Sequence, residues 1–141
     1  MNDERERLLR ILKTNHTIAV VGMSAHPEKD SHTVPAYLLD QGYRVIPVNP
    51  NAAEILGLKS YPRLSEVPEP VDLVLIFRPS SDVPPVVEEG IRIGAKTIWM
   101  QLGIRHEAAA QAARQAGLEV VMDNCIRQTH RGLFAGAAGT P

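Results

Sequence analysis

The chain has 141 residues, 44% of them hydrophobic and 22% charged, with a formal net charge of −1. That length fits one ordinary domain with a real core, and a near-neutral chain with no run of like charges lacks the basic field a duplex nucleic acid requires. A single cysteine, Cys125, excludes an internal disulfide framework and fits a reducing compartment, and apolar runs of about five to seven residues fall far short of a membrane span.

The N-terminus, Met1 to Arg7, is charged and carries no apolar stretch suited to a signal peptide, so a cytoplasmic protein is expected. An opening helix is predicted from Asp3 to Lys13. Five apolar, β-branched-rich runs then follow: Thr17–Val21, Arg44–Val48, Val71–Phe77, Thr97–Leu102 and Leu118–Met122. Near-continuous apolar strands of this kind are buried on both faces, as in a parallel sheet covered by helices. Between the first two runs, Thr33–Gln41 carries Val34, Tyr37, Leu38 and Leu39 and stops at Gly42, which predicts a helix. Pro50–Pro70 contains Pro62, Pro68 and Pro70 and is expected to wrap as loop, with a minor strand near Leu58–Tyr61. Ser80 or Ser81 can cap a third helix that has Asp82 in its first turn and ends before Gly94. Alanine-rich Glu107–Ala116 stops at Gly117, and a closing helix is predicted from about Asn124 to Leu133. Gly136–Pro141 is expected to be a flexible tail, leaving residues 1–135 as one domain. Alternating strands and helices with connections this short predict an α/β, Rossmann-like, doubly wound parallel five-stranded sheet with helices on both faces.

In such a sheet, ligands bind beyond the carboxyl ends of the strands, where strand order reverses. The first strand ends in Val21-Gly22-Met23-Ser24-Ala25, and a turn there aims backbone N–H groups and a helix N-terminus at an anion. Gly22 allows close approach and Ser24 offers a hydroxyl. The competing reading is a glycine needed only for a tight turn. One glycine is short of the G-x-G-x-x-G dinucleotide fingerprint, and the second strand ends in Val48-Asn49-Pro50 without the ribose-binding carboxylate, which disfavours NAD. The P-loop lysine is missing too, which disfavours ATP hydrolysis. A looser phosphate loop remains, His26–Asp30, with Lys29 as candidate phosphate partner. Arg78, at the end of the third strand, can hold a phosphate or stack on adenine, or simply cap the strand end. Gln101 can meet a ligand amide or satisfy loop backbone, while Trp99 reads as core.

Catalytic groupings are sparse. Cys125 precedes a helix whose N-terminus can lower a thiol pKa, but a buried inert cysteine is the competing reading. His130, five residues on, is the one candidate base. The five histidines show no metal-ligand spacing and no G-x-S-x-G elbow exists, so no metal site and no serine-hydrolase site is expected.

Val20-Val21-Gly22-Met23-Ser24, Gly42 to Pro50, Val71-Asp72, Phe77-Arg78, Gly94 to Gly103 and Met122-Asp123-Asn124-Cys125 together closely resemble the small stand-alone CoA-binding proteins. Those proteins are similar to the N-terminal CoA-binding domain of the succinyl-CoA synthetase α-subunit, and the resemblance runs from about residue 5 to residue 134. It implies coenzyme A as ligand. Gly22, Met23, Ser24 and Lys29 would lie near its phosphates, Asn49 and Pro50 would border the nucleotide, Arg78 and Pro79 the adenosine, and Gln101 the pantetheine. The synthetase subunit also has a second domain with a phosphorylated histidine and partners an ATP-grasp subunit. A chain ending at Pro141 has no room for these, so the expectation is binding of CoA or acyl-CoA without catalysis. The expected use is as carrier, sensor or regulator for a partner protein, with a homo-oligomer compatible. Two alternatives remain open: thiol chemistry on a CoA thioester or disulfide through Cys125, and an NAD-type nucleotide sensor.

Overall fold

The computed structural model describes residues 3–138, with side chains through residue 135. In chain order the elements are α1 (Asp3–Thr14), β1 (Thr17–Val21), α2 (Asp30–Asp40), β2 (Arg44–Val48), β3 (Glu54–Ile55), β4 (Leu58–Lys59), β5 (Leu73–Ile76), α3 (Val83–Arg92), β6 (Thr97–Met100), α4 (Glu107–Gln115), β7 (Glu119–Val121) and α5 (Ile126–Ala138). Five strands pair in parallel in the order β2-β1-β5-β6-β7. The chain winds outward in both directions from β1, so the switch point lies between β1 and β5. Val21 registers with Val48 on one side and Ile76 on the other, which aligns three strand ends at one edge.

Alternation along the strands sorts the core into two layers. Ile18 and Val20 pack with Leu12, Leu38 and Ile126, under α1, α2 and α5. Ala19 and Val21 pack with Val83, Val87 and Ala110, under α3 and α4. Helices therefore cover both faces, as the apolar runs predict. Trp99 is fully buried, with its Nε1 donating to the Asn124 carbonyl at 2.8 Å. At the opposite edge, one Asp72 carboxylate oxygen accepts the N–H groups of His16 and Thr17, each at 3.0 Å.

Three expectations need correction. The serines do not cap α3: Ser80–Asp82 forms a 3-10 turn and α3 starts at Val83, with no side-chain cap. Pro84 and Pro85 have no N–H to be capped and preset helical φ, so the helix can start without one. The Ser80 hydroxyl instead accepts the Arg105 N–H at 3.0 Å. The minor strand divides: Leu58–Lys59 closes a hairpin with Glu54–Ile55, whereas Tyr61 makes a single parallel bridge to Val48. The closing helix passes Leu133 and runs to Ala138, and residues 139–141 of the predicted tail lie outside the described residues. Among the described residues, no helix is long and apolar enough to cross a membrane.

Candidate functional site

The loop after β1 owes its shape to a proline further on. Pro35 lies inside α2, where its missing N–H leaves the carbonyl four residues earlier without a helical donor. That carbonyl belongs to Ser31, and the Ser24 N–H donates to it at 3.0 Å. His32 Nδ1 lies 2.7 Å from the Ser24 carbonyl oxygen, and the Ser24 hydroxyl accepts the His26 N–H at 3.0 Å. The loop is thereby tied to the start of α2 without a second glycine.

The expected amide cradle is only partly present. The Gly22 N–H donates to the Val48 carbonyl and the Ser24 N–H is taken by Ser31, so neither is free for a ligand. Gly22 itself has φ +89°, and a side chain there would strike the Phe77 backbone. Its close approach is therefore to β5. The Met23 side chain is wholly buried in the layer under α2, and its carbonyl accepts Asn49 Nδ2 at 2.8 Å. Asn49 Oδ1 accepts the Asn51 N–H at 2.7 Å, so both ends of that amide are used to lock the loops after β1 and β2 together.

Two adjoining clefts follow this edge. The first, about 570 Å³, is lined by Gly22 to His26, Lys29, Asn49 to Ala52, Pro62 to Leu64, Phe77, Arg78 and Glu89. The second, about 490 Å³, is lined by Pro79, Gln101, Leu102, Ile104, Cys125, Arg127 and Gln128. Lys29, Ser31, Phe77 and Arg78 border both. All nine residues expected from the sequence to meet the ligand thus line one of the two clefts, with one bond at each end of the Asn49 amide already made to the loops and the Met23 side chain turned into the core.

Charge collects here. Lys29, Arg63, Arg78 and Arg127 stand against Asp30 and Glu89, in a chain whose formal net charge is −1. Lys29 is exposed and makes no ion pair among the described residues. Arg78 pairs with Asp82 at 3.3 Å, both side chains being nearly half exposed, and such pairs hold a guanidinium weakly. A concave, cation-rich edge favours an anionic ligand. Gln101 is 5% exposed: its Oε1 accepts the Ile126 N–H at 3.2 Å, while its Nε2 has no protein acceptor among the described residues. The reading of Gln101 as a partner for loop backbone holds at Oε1, and Nε2 is left without a protein partner.

Cys125 lies at the inner end of the second cleft, a buried free thiol. His130 does not serve it. Five residues along a helix is a rotation of about 140°, to the far side. There His130 is buried, stacks on Phe134 at 4.3 Å between ring centroids and meets the Tyr37 hydroxyl at 2.7 Å. Among the described residues, no group of three His, Cys, Asp or Glu side chains can hold a metal ion.

Several lining residues went unmarked in the sequence. Leu102, Arg127 and Gln128 follow the ends of β6 and β7, so the strand-end rule that marked Gln101 could have found them. Arg63 had no such signal: the β3–β4 hairpin and the Tyr61–Val48 bridge bring it to the edge.

The profile of one protein family, described as a CoA binding domain, matches residues 16–131. The uncharacterized protein YneT of Bacillus subtilis is 40% identical over 129 residues, covering 92% of this chain and 96% of that protein. Subunit alpha of acetate–CoA ligase [ADP-forming] II from Pyrococcus furiosus is 32% identical over 131 residues, which cover 84% of this chain and 29% of the subunit. A solved structure of a hypothetical protein from Pyrococcus horikoshii OT3 superposes with a TM-score of 0.90, at 37% identity and 92% coverage of both chains.

Proposed function

This chain belongs to the CoA binding domain family, and from that premise we propose that it binds CoA or an acyl-CoA along the carboxyl edge of its sheet, as a binding module without catalysis of its own. The observation that carries the proposal is the pair of adjoining clefts that share Lys29 and Arg78, a cationic junction in an otherwise near-neutral chain. Coenzyme A is long, with a phosphorylated adenosine at one end, a thiol at the other and a diphosphate between them. The residues present fit such a ligand, with two exposed cations midway and the Gln101 amide nitrogen, free of protein partners, further along. Lys29 and Arg78 would hold the phosphates, with the Ser24 hydroxyl as a further donor. Gly22, Met23 and Asn49 hold the loops in place, Pro50 and Pro79 form walls, and Gln101 would border the pantetheine end, its Nε2 open to a carbonyl there. Bound CoA would supply a thiol or thioester. The chain's own part is to grip and orient it, for a carrier, sensor or regulator role with a partner protein or a second copy. The ligase relative is far longer than this chain, and ligase activity forms no part of the proposal.

Calorimetric titration with CoA, NADH and ATP tests this. Saturable CoA binding is expected, weakened by Lys29→Ala and by Arg78→Ala by about tenfold each, as for loss of a charge-assisted contact. Both side chains are exposed, so melting temperature should barely move. Binding of NADH or ATP in place of CoA would overturn the proposal.

A further inference from the structure

The rim of the second cleft presents hydrocarbon. Leu102 is 60% exposed; among the described residues the only other large apolar side chain so exposed is Leu56, at 43%, in the turn of the β3–β4 hairpin. Leu102 is not exposed through looseness. The Gly103 N–H donates to Asp123 Oδ1 at 2.7 Å, the Ile104 N–H to the Gln101 carbonyl at 2.9 Å, and the Asp123 N–H to the Ile104 carbonyl at 3.0 Å. Gly103 sits at φ +84° and Asp123 at φ +54°, a conformation non-glycine residues seldom adopt. A strained aspartate thus clamps the loop that holds Leu102 over the cleft.

The neighbouring residue supplies a second, independent feature. Gln101 is more than nine-tenths buried, and its Nε2 has no protein partner among the described residues and opens on the same cleft, where a ligand acceptor could meet it. Pro79 and Ile104 extend the apolar wall. Arg127 also lines this cleft: its Nη1 donates to the Thr33 hydroxyl at 3.2 Å, while its Nε is buried without a partner among the described residues. A carbonyl acceptor joined to hydrocarbon is an acyl group.

We infer that the second cleft binds the acyl end of an aliphatic acyl-CoA, with the hydrocarbon chain on Leu102 and a carbonyl at Gln101 Nε2, so that the protein distinguishes acyl-CoA from free CoA. This rests on the proposed CoA-binding function and adds the ligand class. The test is titration of the full chain with CoA, acetyl-CoA, butyryl-CoA and succinyl-CoA. Butyryl-CoA should bind about three- to tenfold more tightly than CoA, the gain expected for a few partly buried methylenes. Leu102→Ala should bring that ratio to about one, and Leu102→Met should retain it. Equal affinity for CoA and butyryl-CoA overturns the inference and leaves CoA binding intact, as does a ratio that survives in Leu102→Ala. A preference for succinyl-CoA overturns it in favour of an acidic acyl group at Arg127. Failure of CoA itself to bind removes the parent reading and this inference together.

Discussion

The carbonyl carbon of Phe77 stands 3.0 Å from the point that a Cβ on Gly22 would occupy, and its oxygen is closer still. The ends of β1 and β5 touch backbone to backbone at the switch point. Gly22→Ala combines a strained positive φ with a backbone clash and should cost about 2–4 kcal/mol. Urea unfolding measures it, and an unchanged midpoint would mean that the end of β5 yields. A binding defect in this variant would report folding, which is why Lys29 and Arg78 are the proper probes of the ligand.

At the other edge of the sheet, partial burial pushes the Asp72 pKa up. The N–H groups of Thr17 and His16 and the Lys96 ammonium together outweigh that and hold it below the ordinary value. A depressed carboxylate pKa stabilises the fold above the ordinary value of about 4 and ceases to as pH falls through the folded value. Asp72→Ala should therefore cost about 1–2 kcal/mol at neutral pH, chiefly from the part-buried Thr17 N–H. The gap to wild type should close as pH falls from about 5 toward about 2. A gap of constant size across that range would refute the assignment.

His130 acts in the same direction as Asp72, but in a higher pH window. Burial lowers its pKa, and Lys13 and His16 line the same recess. The unfolded chain takes up that proton near pH 6.5 while the folded ring resists it, so stability should fall as pH drops below about 6.5. His130→Phe keeps a ring against Phe134 and should flatten the decline in melting temperature between about pH 8 and about pH 5.5. An equally steep decline in the variant would assign the effect to other groups.

Cys125 is buried at the inner end of the second cleft, so alkylation should be slow in the native protein and fast in urea. If CoA occupies that cleft, saturating CoA should slow the native reaction further, by several-fold. Labelling indifferent to CoA would place the ligand elsewhere along the edge.

The sheet was legible in the sequence because each central strand is a short apolar run, and only a doubly covered parallel sheet buries such runs on both sides. The strand ends then indicated which residues crowd one edge. Their roles were not legible, since hydrogen-bond partners far apart in sequence exist only after the strands align. Asn49 reads as a ligand group, and nothing in its pattern shows that its amide also ties Met23 to Asn51. Gly22 reads as a phosphate turn, and its contact with the Phe77 backbone is visible only in the folded chain. The sequence does not show that Ser24 claims the carbonyl that Pro35 leaves free. Local pattern determined the strands, helices and edge of this protein, because burial periodicity is a property of short segments. Only the tertiary structure decided which polar atoms at that edge are spent on the fold and which, like Gln101 Nε2 and the Lys29 ammonium, have no protein partner among the described residues.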